Sequence, residues 1–213
     1  MSSLRFFLLG LMVASGLAGA AQRTAFEEFH QAIQNGDRAT VIAYLKRGMD
    51  PNLVDEQGQP ALVGATRAGD LDTVAALLKA GAKVDRRTPH GDSAIMVAAL
   101  AGRLDLVKLL RKFGAEINHA GWTPLLYSAT NGHNEVVEFL LESGADVSTR
   151  APNGVTPLMM AVRGAHRETV KLLLEHGADP KTRSESGDSA LQWALAKELK
   201  EIAAMLRAAG AAD

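Results

Sequence analysis

Glycine returns in this chain at a fixed distance. Gly48, Gly81, Gly114, Gly144, Gly177 and Gly210 are separated by 33, 33, 30, 33 and 33 residues. A second series, Gly58, Gly91, Gly121, Gly154 and Gly187, has spacings of 33, 30, 33 and 33. Both contain the same single three-residue contraction, so the chain reads as an array of similar units. Each unit is too small to hold a core alone, and its stability must come from stacking on its neighbours.

Set in register on the glycines, GWTPLLYSATNGHNEVVEFLLESGADV from Gly121 parallels GVTPLMMAVRGAHRETVKLLLEHGADP from Gly154. GQPALVGATRAGDLDTVAALLKAGAKV and GDSAIMVAALAGRLDLVKLLRKFGAEI precede them, and GDSALQWALAKELKEIAAMLRAAG follows. AFEEFHQAIQNGDRATVIAYLKRGMDPN opens the array without a Thr-Pro start. Thr123 and Thr156 stand before Pro124 and Pro157, the order of a helix N-cap followed by an N1 proline. Leu125 with Ala129, and Leu158 with Ala161, recur at helical spacing; Gly69, Gly102 and Gly132 break the first helix. Val136, Val137, Leu140 and Leu141 supply the apolar face of a second helix.

The pattern resembles the ankyrin repeat family, whose unit reads G-x-T-P-L-H-x-A-A, then G-H, a V-V-x-L-L-L helix and G-A-D. The matching words are TPLL at Thr123, TPLM at Thr156, NGH ending at His133, and GAD at Gly144 and Gly177. The resemblance implies an all-α solenoid of about six helix-turn-helix units with β-hairpin or turn connections. It spans 21–213, with units near 24–55, 56–88, 89–118, 119–151, 152–184 and 185–213, the last a polar C-terminal cap. The family's TPLH histidine is replaced by Val63, Met96, Leu126, Met159 and Gln192; only His30, in the degenerate first unit, keeps it. The contraction leaves just Asn118-His119-Ala120 between Ile117 and Gly121, which predicts a blunt finger and a notch among the tips.

Residues 1–20 read as something else. Arg5 precedes an uncharged run from Phe6 to Ala21, and Ala18-Gly19-Ala20 fits a cleavage site, with a cut before Ala21 or before Gln22. That is the order of a secretory signal peptide. Such a short Gly- and Ala-containing run is a poor membrane anchor against roughly 30 Å of hydrocarbon. Export places the expected protein in the periplasm or outside the cell, with no stable membrane insertion after cleavage. The chain has no Cys, which excludes disulfides, thiol chemistry and Cys-ligated metals. A pI of about 6.6 without a basic cluster gives no footprint for nucleic acid.

The motifs that resemble enzyme chemistry dissolve into the repeat. GDSA occurs at Gly91 and Gly187, but Ser93 and Ser189 fall in register with the capping Thr123. The six His residues never reach H-x-x-x-H spacing, so no metal site, cofactor or catalytic residue is expected. A solenoid leaves one concave strip for recognition. Its candidates are Trp122, Tyr127, Asn131, Met160, Arg163 and Trp193, with Arg87, Arg150 and Arg183 in the connections. Tyr, Trp, Met and Arg are enriched at interfaces. These residues point to a non-catalytic protein-binding module of bacterial type, monomeric, whose partner is another exported protein. The alternative in a different class is a periplasmic inhibitor or immunity protein that neutralises an enzyme or toxin, or an accessory of a stress-defence enzyme.

Overall fold

The computed structural model describes residues 24–212; the leader assigned to residues 1–20 lies outside them. Among the described residues twelve helices form six antiparallel pairs. The inner helix of each pair is α1 (24–35), α3 (Ala61–Ala68), α5 (Ala94–Leu100), α7 (Pro124–Asn131), α9 (Pro157–Arg163) and α11 (Ala190–Ala196). The outer helices are α2 (Arg38–Lys46), α4 (Leu71–Lys79), α6 (Leu104–Lys112), α8 (Asn134–Glu142), α10 (Arg167–Glu175) and α12 (Lys200–Ala208). Inner helices touch inner helices of the next unit, and outer touch outer, so two parallel layers grow unit by unit.

Local chemistry sets each boundary. Thr123 and Thr156 cap α7 and α9, their Oγ1 atoms accepting from Leu126 N and Met159 N, both at 3.3 Å. Ser189 does the same for Gln192 N at 3.2 Å while Gln192 Oε1 accepts from Ser189 N at 2.8 Å, a reciprocal capping box. The layers close because Ala98, Ala99, Ala129, Ala161 and Ala194 are fully buried on the inner helices, against Leu110, Leu140 and Leu173 from the outer ones. Val63, Met96, Leu126 and Met159 are buried where the family carries histidine, so apolar contact takes over that place.

Every glycine of the two series takes a positive φ, between 74° and 102°. A third series closes the inner helices: Gly36, Gly69, Gly102 and Gly132 have positive φ, and Ala165 (57°) and Glu198 (56°) hold the same place in the last two units.

Beside this third series runs a ladder of staples between units. Arg103 Nη1 donates to Gly69 O, His133 Nε2 to Leu100 O and His166 Nε2 to Thr130 O, each at 3.0 Å; Lys197 Nζ donates to Arg163 O at 2.7 Å. Each side chain reaches back to a carbonyl at the end of the preceding inner helix, which has no intrahelical donor of its own.

The connections differ from the hairpins expected of them. The described residues contain no β-strand, only the isolated bridges Val54–Pro60 and Arg183–Ser189. Each regular connection closes with two backbone bonds around a glycine, as in Thr88 N to Asp92 O and Gly91 N to Thr88 O, both 2.9 Å. The chain then enters the next helix, too soon for a ladder to extend. Neighbouring connections are joined mostly by side chains: Asn52 Nδ2 donates to Gly81 O and Asn118 Nδ2 to Gly144 O, while one backbone bond, Glu185 N to Asn153 O at 3.0 Å, links the last two. At the three-residue contraction that backbone pair is missing, and His119 Nδ1 contacts Ala120 O at 3.1 Å.

Candidate protein-interaction site

The inner helices are buried on most of their surface, so what they offer to solvent is sparse and informative. Near the ends of the middle inner helices the exposed places include Arg67 on α3, Leu100 on α5, Asn131 on α7 and Arg163 on α9. Leu100 is 40% exposed; on the inner helices it shares such exposure with Leu195 of the last unit, at 44%.

Leu100 belongs to a recess of about 340 Å³ that opens on the inner face and spans the second, third and fourth units. Met96, Val97 and Ala101 line it from α5, Arg67 from α3, Tyr127 from α7, and Asp92 from the connection before α5. Tyr127 Oη donates to Asp92 Oδ1 at 2.8 Å. The Trp122 ring lies against Tyr127, centroids 5.2 Å apart at 34°. An aromatic shelf is thereby fixed from two sides, by a carboxylate and by a second ring. Arg67 faces no ion-pair partner among the described residues and keeps its fork of donors free.

Burial, then the hydrogen bond to Asp92, pushes the Tyr127 phenol up to about 12 from an ordinary value of 10.0. Between those two values the unfolded chain has released its proton while the folded chain holds it. This contribution to stability is therefore complete below pH 10 and disappears as the pH rises through 12. Ring-resolved NMR titration of the two tyrosines should find Tyr127 still protonated at pH 11. In Asp92→Asn its midpoint should move back toward 10; an unmoved midpoint would mean Asp92 does not hold the phenol.

The other candidates read from the sequence are placed less favourably. Met160, 1% exposed, is core and unavailable to a ligand: the α9 layer closes over the site that Tyr127 holds in α7. Trp193 is half-buried in the last unit, far along the array from Trp122. Asn131 Nδ2 donates to Leu100 O at 2.9 Å, so it helps fix the rim of the recess. The connection arginines are exposed but employed. Arg87 Nη1 donates to Gly91 O at 3.2 Å, Arg183 Nη1 to Gly187 O at 2.7 Å, and Arg150 Nη2 reaches across to Arg183 O. Each therefore pins a turn, leaving only part of its donor set outward.

Asp92 and Leu100 escaped sequence reasoning. Asp92 follows Gly91 as Trp122 follows Gly121, so the repeat register held a signal for it. Leu100 carried no signal, because a leucine in an apolar helix is normally read as core.

Among the described residues no group of three or more His, Asp or Glu could hold a metal ion, and no helix is long and apolar enough to cross a membrane. The family model described as ankyrin repeats (3 copies) matches residues 29–120, 88–151 and 147–213. The chain belongs to the ankyrin repeat family, whose arrays act as non-catalytic protein-interaction scaffolds. Among curated proteins it is similar to the NAD-capped RNA hydrolase NUDT12 of Homo sapiens, Pongo abelii and Macaca fascicularis, 64% identical over 28 residues in each. That stretch is 13% of this chain and 6% of each relative, shorter than one 33-residue unit. It carries the likeness of a repeat.

Proposed function

We propose that this chain is a non-catalytic binding module that clasps a partner protein on its concave inner face, around the recess beneath Trp122 and Tyr127. In this reading residues 1–20 are a cleaved leader, 21–213 form one monomeric ankyrin domain, and the partner is itself exported to the periplasm or beyond. The observation that carries the reading is the recess: an exposed Leu100 beside a pre-oriented aromatic shelf. Interface energy concentrates at such rigid rings set among apolar contacts. Arg67 and Arg163, with no ion pair among the described residues, supply planar donors for carboxylates on the partner. The outward donors of Arg87, Arg150 and Arg183 extend the strip along the connections.

A photo-cross-linking amino acid at position 100, compared with one at the outer-face position 138, tests this in the native host. The expected result is a discrete adduct from position 100 alone, reduced about tenfold or more by Trp122→Ala with Tyr127→Ala. Equal adducts from both faces, or an adduct indifferent to the two ring deletions, would move the site elsewhere.

A further inference from the structure

We propose that the outer face of the first two units is a second docking site, a cation-rimmed apolar groove that receives an acidic amphipathic helix from a partner protein. The groove holds about 530 Å³ between α2 and α4, in the helix layer opposite the concave recess. Its floor is apolar: Ile42 and Leu45 from α2, Ala75 and Ala76 from α4.

The register explains why it is open here. At the place of Ala43 and Ala76 the later units carry Leu109, Phe139, Leu172 and Met205. At the place of Ile42 and Ala75 units three to five carry Lys108, Glu138 and Lys171. The filler and the solvated charge of the later outer helices are thus both absent from the first pair, leaving half-buried Ile42 and Leu45 accessible.

The rim fixes the sign of the occupant. Lys46 and Lys79 stand at one end of the groove, exposed and without an ion pair among the described residues. Asp72 is the one carboxylate in the lining, and Arg38 already binds it. An apolar floor with two unpaired ammonium groups matches a helix that lays a leucine face inward and presents Glu or Asp at its edges. The same ammonium groups repel a basic helix.

Two short amidated helical peptides test the proposal, identical in a leucine face and differing only in Glu or Lys at the remaining positions. Each is titrated into the isotope-labelled full chain and followed by amide NMR. The Glu peptide should perturb residues 38–46 and 71–80, and the Lys peptide should leave them unmoved. Lys46→Glu with Lys79→Glu should weaken binding about tenfold or more. Ala76→Leu installs the leucine that the third unit has at position 109, so it should abolish binding while the thermal melt stays in place. Trp122→Ala with Tyr127→Ala should bind the Glu peptide normally, which separates this site from the concave one. Indifference to peptide charge, no perturbation, or perturbation centred on the inner face would overturn the proposal. So would self-association that Ala76→Leu removes, since a second copy of this chain would then be the occupant.

Discussion

Gly132→Ala is expected to destabilise the protein by about 2–3 kcal/mol, far more than an exposed glycine in a loop would suggest. Gly132 closes α7 at φ +70°, and an added Cβ would stand 2.5 Å from His166 Nδ1 and 2.6 Å from its Cγ. Left-handed backbone costs a non-glycine residue roughly 1–2 kcal/mol. Displacing the imidazole also breaks its bond to Thr130 O, worth about 0.5–1.5 kcal/mol net. The two parts separate in a double-mutant cycle. With His166→Ala already in place the collision is gone, so Gly132→Ala should then cost only its backbone strain. The double variant should therefore be more stable than the sum of the singles predicts, by about 1 kcal/mol. Strict additivity in urea denaturation would show that the imidazole does not rest on this glycine. Gly102 faces His133 with the same 2.5 Å approach, and the same cycle applies there.

Leu140→Ala carries the other large expectation, a loss of about 2–5 kcal/mol. Leu140 is fully buried on α8, between the third and fifth units. That loss is a large share of the roughly 5–15 kcal/mol that holds a domain folded. In a linear array the position matters as well as the cavity. A defect in the middle weakens stacking on both sides and lets the halves unfold separately, so the urea transition should broaden and its slope fall. Leu206→Ala, an equally buried deletion on α12, should fray the last unit and leave the main transition sharp. Identical, single, steep transitions for both variants would argue for one globular core.

Much of this architecture was legible because a single word is spelled several times. Both glycine series marked the period of the units, and in the fold every one of these glycines takes a positive φ; Thr-Pro marked two helix starts. The connections were harder. A family unit implies a hairpin, yet whether two short arms form a ladder depends on how many paired residues remain before the next helix. Here one bridge or none remains, and no local motif announces that. His133 and His166 stand at the N-caps of α8 and α10, and their bonds run 33 and 36 residues back to another unit, which no local pattern shows. The site itself was half legible. Trp122 and Tyr127 stood out as rings the stack does not require, while their partner Asp92 lies 35 residues from Tyr127 and became visible only in the fold. Met160 shares the register of Tyr127 but is enclosed, because burial at that register depends on its neighbours in α7 and α11 rather than on its own unit.

The stacking of successive units can be measured directly, since a chain without cysteine accepts spin labels at chosen pairs of positions. Labels at Ile42 and, in turn, at its counterparts Ala75, Lys108, Glu138, Lys171 and Ala204 would report the distance across one to five unit steps by pulsed electron paramagnetic resonance. With packed helices about 8–10 Å apart, each step should lengthen the distance, reaching several tens of ångströms at position 204. A distance that levels off or shortens after two or three steps would contradict a row of stacked helix pairs, and with it the inner face on which the proposed partner recognition rests.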